Sequence, residues 1–204
     1  MKAWWCAVGL SLAGCSGQAV DPPAIRVSQP ASTPQVQSKP VREMLQSGAR
    51  GFSLGSQIGR KTAYVFFDPQ CGHCGHLWQA ALPLQQRMHF VWVPVAFMSR
   101  KSLPQGVAIL HAADPAAAMA KHEDALLSGS GGIDVALGQG NGQENDTAIQ
   151  TLQEAIRANT ALLEKLGVNS VPHLIIVDAE SDATTSHSGA MPTPALAELL
   201  GVQP

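Results

Sequence analysis

Two cysteines three residues apart, set where an apolar strand runs into a helix, constrain this chain more than any other feature. Thr62-Ala63-Tyr64-Val65-Phe66-Phe67 is apolar, aromatic and β-branched, the pattern of a buried strand. Asp68-Pro69 breaks it, and Gly72 onward, with Leu77, Trp78, Ala80, Ala81 and Leu82, reads as a helix. Cys71 and Cys74 then share one side of the first helical turn, close enough for a small disulfide ring. Unpaired N–H groups and the positive dipole end at such a turn stabilise a thiolate on Cys71. The thiolate is the attacking species in thiol–disulfide exchange, so the stretch reads as a redox-active dithiol. Cys71, first and more exposed, is the expected nucleophile, and Cys74, one turn inside, the resolving thiol. Gly72 and His73 lie between them, where an imidazolium on His73 would lower the Cys71 pKa.

Other uses of the pair fit less well. A structural zinc site needs four ligands, and the nearby candidates are His73 and His76. All four would sit at one helix start and could not converge on a common centre, so no metal is expected. A c-type haem requires CxxCH, but Gly75 stands at the histidine position. A purely structural disulfide would close so short a loop that it constrains little of the unfolded chain. No cofactor is expected beyond the Cys71–Cys74 disulfide itself. Trp78 reads as core, while His76, His111 and His122 have no evident partner and read as surface residues.

The run Val65-Phe66-Phe67-Asp68-Pro69-Gln70-Cys71-Gly72-His73-Cys74 resembles the active-site segment of bacterial periplasmic thiol–disulfide interchange proteins of the DsbC/DsbG type. Val91 to Phe97 and Ala108 to Pro115 resemble the same family's next strand and inserted helix, and Gly167 to Ile175 its cis-proline loop. These matches run in order from about residue 47 to the C-terminus. The resemblance implies an α/β thioredoxin-like fold with a helical insertion, about 103–166, between the central strands and the cis-proline loop. It also implies that Pro172 is cis, faces the sulfurs, and leaves the Val171 backbone to pair with a substrate strand. DsbC and DsbG usually carry threonine before that proline and DsbA-type oxidases valine, so Val171 tilts the expectation toward dithiol oxidation. Implied partners are exported cysteine-containing proteins and a membrane redox protein of the DsbB or DsbD type.

Met1 to Gly14 reads as a targeting segment: Lys2 supplies a positive start, and Ala3 to Ala13 is a short uncharged run, too short to span a bilayer. Leu12-Ala13-Gly14-Cys15 resembles a bacterial lipobox, which implies cleavage before Cys15, its acylation and a lipid anchor. An ordinary secretory signal is the alternative, and either way the mature chain is exported. Ser16, where aspartate favours inner-membrane retention in lipoproteins generally, directs the guess to the periplasmic face of the outer membrane. Residues 15–46 carry Pro22, Pro23, Pro30, Pro34 and Pro40 among Ser, Gln and Thr, and read as an extended tether. The DsbC/DsbG dimerisation domain has no room there, so a monomer is expected.

The catalytic domain is placed at 47–204, long enough for one core. Phe52 to Leu54 reads as an edge strand, Phe90 to Phe97 as a central strand parallel to the first, and Pro83 as the end of the active-site helix. Two helices follow, broken at Asp114-Pro115. Ser128 to Gln143 holds six glycines and reads as a flexible surface loop without a phosphate-binding signature. A long helix capped by Asn145, Asp146 or Thr147, a strand from His173 to Val177, a short edge strand and a closing helix from Pro194 complete the chain. A net charge of −2, with 14% charged residues, argues against nucleic acid as a partner. Two function classes stay open: a lipid-anchored thiol–disulfide oxidoreductase, and a non-catalytic binding or assembly module whose CxxC is structural.

Overall fold

A computed structural model describes residues 38–135 and 147–203. The leader, Cys15, most of the proline-rich stretch, residues 136–146 of the glycine-rich loop, and the capping candidates Asn145 and Asp146 lie outside the described residues.

Strand β2 (Lys61–Phe67) is the spine. Side chains alternate across a strand, and here Ala63, Val65 and Phe67 enter one core while Phe66 enters the other. β2 pairs in parallel with β3 (His89–Pro94) and antiparallel with β4 (His173–Asp178). Edge strands β1 (Phe52–Gly55) and β5 (Thr184–Ser188) complete the order β1-β3-β2-β4-β5. Helix α2 (Gly72–Ala81) makes the crossover between the parallel pair and stops at a 3-10 turn, Leu82–Leu84, that contains Pro83. The expected insertion is α3 (Ser102–His111), α4 (Pro115–Leu127) and α5 (Thr147–Lys165), between β3 and β4. Asp114 caps α4 by accepting from Ala117 N–H at 3.0 Å, with Pro115 in the first turn. Helix α6 (Thr193–Leu200) closes the chain.

One face of the sheet packs Cys74, Leu77, Met119 and Leu196 against Trp92 and Leu174. Trp78 lies in this core, edge-on to Trp92 with ring centroids 4.9 Å apart. The opposite face packs Val41, Leu45 and Leu163 against Phe66, Val93 and Ile175.

Three expectations need correction. The tether does not extend to residue 46: α1 (Ser38–Gly48) is a helix that belongs to the domain. Val41 and Leu45, one turn apart, are buried against the second core, and Pro40 falls in the first turn, where a missing N–H costs nothing. The surrounding Pro, Ser and Gln masked this two-residue stripe. His122 is not a surface residue but fully buried. Nor is the start of the glycine-rich loop free, because the carbonyls of Gly131 and Ile133 accept from the buried Gln105 amide at 2.9 Å each.

Candidate active site

The cysteines are placed by the end of β2 and the start of α2. Asp68, fully buried, ends the strand and turns the chain with its carboxylate, which accepts from Gln70 N–H (2.9 Å), Phe97 N–H (2.9 Å) and Met98 N–H (3.0 Å). Its carbonyl accepts from Cys71 N–H at 2.9 Å. His122 on α4 holds the next link. Its Nδ1 accepts from Ile133 N–H at 3.2 Å, which leaves Nε2 to donate to the Pro69 carbonyl at 2.6 Å. Gln70 donates to both Gln105 Oε1 (2.7 Å) and the Gly131 carbonyl (3.0 Å). The four residues ahead of the helix are thus fixed from three sides.

Cys71 is the N-cap of α2, and its Sγ accepts from Cys74 N–H at 3.2 Å. The two sulfurs are free thiols, Cys71 3% exposed and Cys74 fully enclosed. A hydrogen bond from the Cys74 thiol holds the Cys71 thiol below its ordinary range; backbone N–H groups of Cys74 and His73 help, while burial and the Asp68 charge oppose. Burial drives Cys74 strongly the other way, reinforced by its hydrogen bond to Cys71 and by the charges of Cys71 and Glu123. One thiol is poised to ionise and the other is kept neutral.

The Val171–Pro172 peptide bond is cis, and Cys71 Sγ donates to the Val171 carbonyl at 3.6 Å. Next to it, His173 is buried on β4 with Nδ1 2.7 Å from Ser188 Oγ, and desolvation pushes its pKa down to about 4. Gly72 is exposed and nothing stands where a Cβ would lie. The His73 ring is exposed beside His76, their centroids 6.4 Å apart, so its contribution at the sulfur is made by its backbone N–H. An open groove of about 460 Å³ runs beside α2, lined by His76, Ala80, Met191 and Pro192 among others.

Reading the sequence brought Cys71, Cys74, Val171 and Pro172 to one place; it missed Asp68, Gln105, His122 and Glu123. Asp68 was legible as an Asx turn before proline. The other three lie in the insertion, and nothing local marks them.

A strand, a CxxC at a helix start and a cis proline facing the first sulfur define the thioredoxin-like class of fold. The chain belongs to the thioredoxin-like domain family, whose model matches residues 56–203. Solved structures with the same fold include the catalytic domain of Proteus mirabilis ScsC, 17% identical over 80% of this chain and 96% of that one, with a TM-score of 0.57. The thiol-disulfide exchange protein α-DsbA2 of Wolbachia pipientis is 18% identical over 80% and 94%, with a TM-score of 0.59. A periplasmic thioredoxin-like protein of Salmonella enterica serovar Typhimurium is 20% identical over 79% and 94%, at 0.56. No curated protein gives a significant match.

Proposed function

We propose that this protein is an exported thiol–disulfide oxidoreductase acting on cysteines of other exported proteins. The observation that carries the reading is the split between the sulfurs: Cys71 caps a helix under stabilising hydrogen bonds and faces the cis-proline loop, while Cys74 waits enclosed behind it. In the dithiol form the Cys71 thiolate attacks a substrate disulfide, and Cys74 then displaces the substrate thiol to close the ring. In the disulfide form a substrate thiolate attacks Cys71 and expels Cys74. A second substrate thiolate then displaces Cys71 from the mixed disulfide, so the substrate leaves as a disulfide and the pair as a dithiol. The Val171 backbone pairs with the substrate strand, and the backbone N–H of His73 adds to the stabilisation of Cys71.

Within the DsbC/DsbG-like setting, valine before the cis proline favours oxidation over isomerisation. The chain works as a monomer recharged by a membrane protein of the DsbB type, a DsbD-type reductant being the partner if its potential is low. Cys15 carries a lipid that holds the domain at the periplasmic face of the outer membrane. No bound cofactor is required beyond the disulfide. Among the described residues no helix is long and apolar enough to cross a membrane; the anchor at Cys15 rests on the lipobox resemblance of Leu12-Ala13-Gly14-Cys15. Palmitate should label the wild type and not Cys15→Ser; an unlabelled, soluble wild type would refute the anchor.

Equilibration with glutathione tests the activity. A potential near −120 mV marks an oxidase and one near −270 mV a reductase (both about). Cys71→Ala should abolish exchange and Cys74→Ala should accumulate mixed disulfides. Exchange that survives Cys71→Ala would sink the mechanism.

A further inference from the structure

The helical insertion sends one ionisable side chain into the site that the mechanism above leaves unused. Glu123 on α4 is fully buried, and neither carboxyl oxygen has a hydrogen-bond partner. Burying such a group without a partner costs several kcal/mol if it is charged (roughly), so its place in the core calls for a reason. Its position is defined by Gly75, the residue after Cys74: a Cβ there would stand 2.6 Å from Glu123 Oε2 and 3.1 Å from Leu127 Cγ. The missing side chain at 75 is what lets the carboxyl lie against the first turn of α2.

We propose that Glu123 is the proton-exchanging group of the Cys71–Cys74 pair, taking the Cys74 proton when the disulfide closes and returning it when the disulfide opens. The proposal rests on the oxidoreductase reading. No hydrogen bond joins Glu123 to Cys74, so the transfer requires either a rotation of the carboxyl toward the sulfur or a bridging water. In closing, the Cys74 thiol gives its proton to the Glu123 carboxylate and the Cys74 sulfur attacks Cys71 Sγ of the mixed disulfide. The Cys71–Cys74 bond forms, the bond from Cys71 to the substrate sulfur breaks, and its electron pair leaves on the substrate thiolate, which is protonated from solvent. In opening, a substrate thiolate attacks Cys71 Sγ, the electron pair leaves on Cys74, and the Glu123 carboxylic acid protonates it.

Two features make a local donor necessary and Glu123 suitable. Cys74 is sealed from bulk water and resists ionisation, so it is a poor leaving group unless protonated as it departs. Glu123 has its pKa pushed up to about 8 by burial first and then by the charges of Cys71 and Asp124, so near neutral pH it holds a proton it can release. The Glu123 charge in turn opposes ionisation of Cys74. A proton leaving Cys74 is therefore best received by Glu123 itself, because that removes the charge that opposes the ionisation. The ionisable groups facing Glu123 are Cys71 and Cys74 at α2 and Asp124 on its own helix. His122 precedes it, turned to Pro69 and Ile133, with its own pKa lowered by burial. The packed α3 offers the neutral Gln105 and an exposed His111, and β1, Phe-Ser-Leu-Gly, has nothing to titrate.

The test uses the full-length protein in two measurements. Single-turnover opening of the disulfide by dithiothreitol is followed across pH for the wild type and Glu123→Gln. The variant should open at least about tenfold slower near pH 7 and lose the wild type's rate change at the carboxyl's midpoint in the disulfide, which lies below the value of about 8 in the dithiol. An unchanged rate and pH profile overturns the proposal. Infrared titration of the buried carboxyl in the wild type needs no variant to fold: its midpoint should lie near pH 8 in the dithiol and lower in the disulfide, where the Cys71 charge is gone. Equal midpoints overturn it. A wild type inert to dithiothreitol would instead refute the oxidoreductase reading itself.

Discussion

Two buried polar side chains, one on each side of the sheet, meet opposite fates. Asn159 on α5 is fully enclosed and fully used: its Oδ1 accepts from Arg50 N–H at 2.8 Å, and its Nδ2 donates to the Arg50 carbonyl at 2.6 Å and the Pro94 carbonyl at 2.9 Å. It ties the segment before β1 to the end of β3 and does nothing else. Glu123 on α4 is equally enclosed and has no such bond. Asn159 therefore holds the frame, as the buried Asp68, Gln105 and His122 do around the dithiol. Glu123 alone of these stands as an unsatisfied acid beside the dithiol, and ionisable groups left in that state are characteristic of sites that do chemistry.

The contrast can be broken from either end. Glu123→Gln removes the charge but keeps the shape, and its effect on stability should depend on pH. The folded pKa of about 8 stands above the ordinary 4.5. Ionisation therefore costs nothing below about pH 4.5, where the acid is protonated in both states, and the wild type should lose stability relative to the variant as pH rises from there toward 8. The loss levels off above about pH 8 at a ceiling on the order of 5 kcal/mol. Urea denaturation at a series of pH values would show it, and parallel curves for the two proteins would mean that Glu123 is not the buried acid described. Asn159→Ala should instead destabilise by about 3 kcal/mol at every pH, because it strands three backbone groups. A loss below about 1 kcal/mol would show that water replaces the amide and that the frame does not depend on it.

The same contrast explains what the sequence disclosed. The strand before Cys71, the CxxC and the two helices broken at Asp114-Pro115 were legible because each leaves a local mark: an apolar run, a fixed spacing, a proline break in a helical stretch. The place of Pro172 opposite the sulfurs and the insertion as a unit were reached only through the family resemblance. Helix α1 was hidden because only Val41 and Leu45 mark its buried face amid residues typical of a linker. His122 and Glu123 were hidden for a different reason. In Lys121-His122-Glu123-Asp124 all four residues look solvated, and only the packing of α4 on α2 and α3 decides that the middle two turn inward. Burial of an ionisable group is a tertiary fact, and local periodicity carries no record of it.

The central claim is that one sulfur of the pair is activated and the other suppressed. Alkylation of the reduced protein by iodoacetamide as a function of pH, with the modified cysteine mapped by mass spectrometry, tests it most directly. The account predicts modification at Cys71 alone, with a midpoint below the ordinary thiol value of about 8.5, and Cys74 untouched while the domain stays folded. Equal labelling of both cysteines, or a Cys71 midpoint at or above that value, would contradict it.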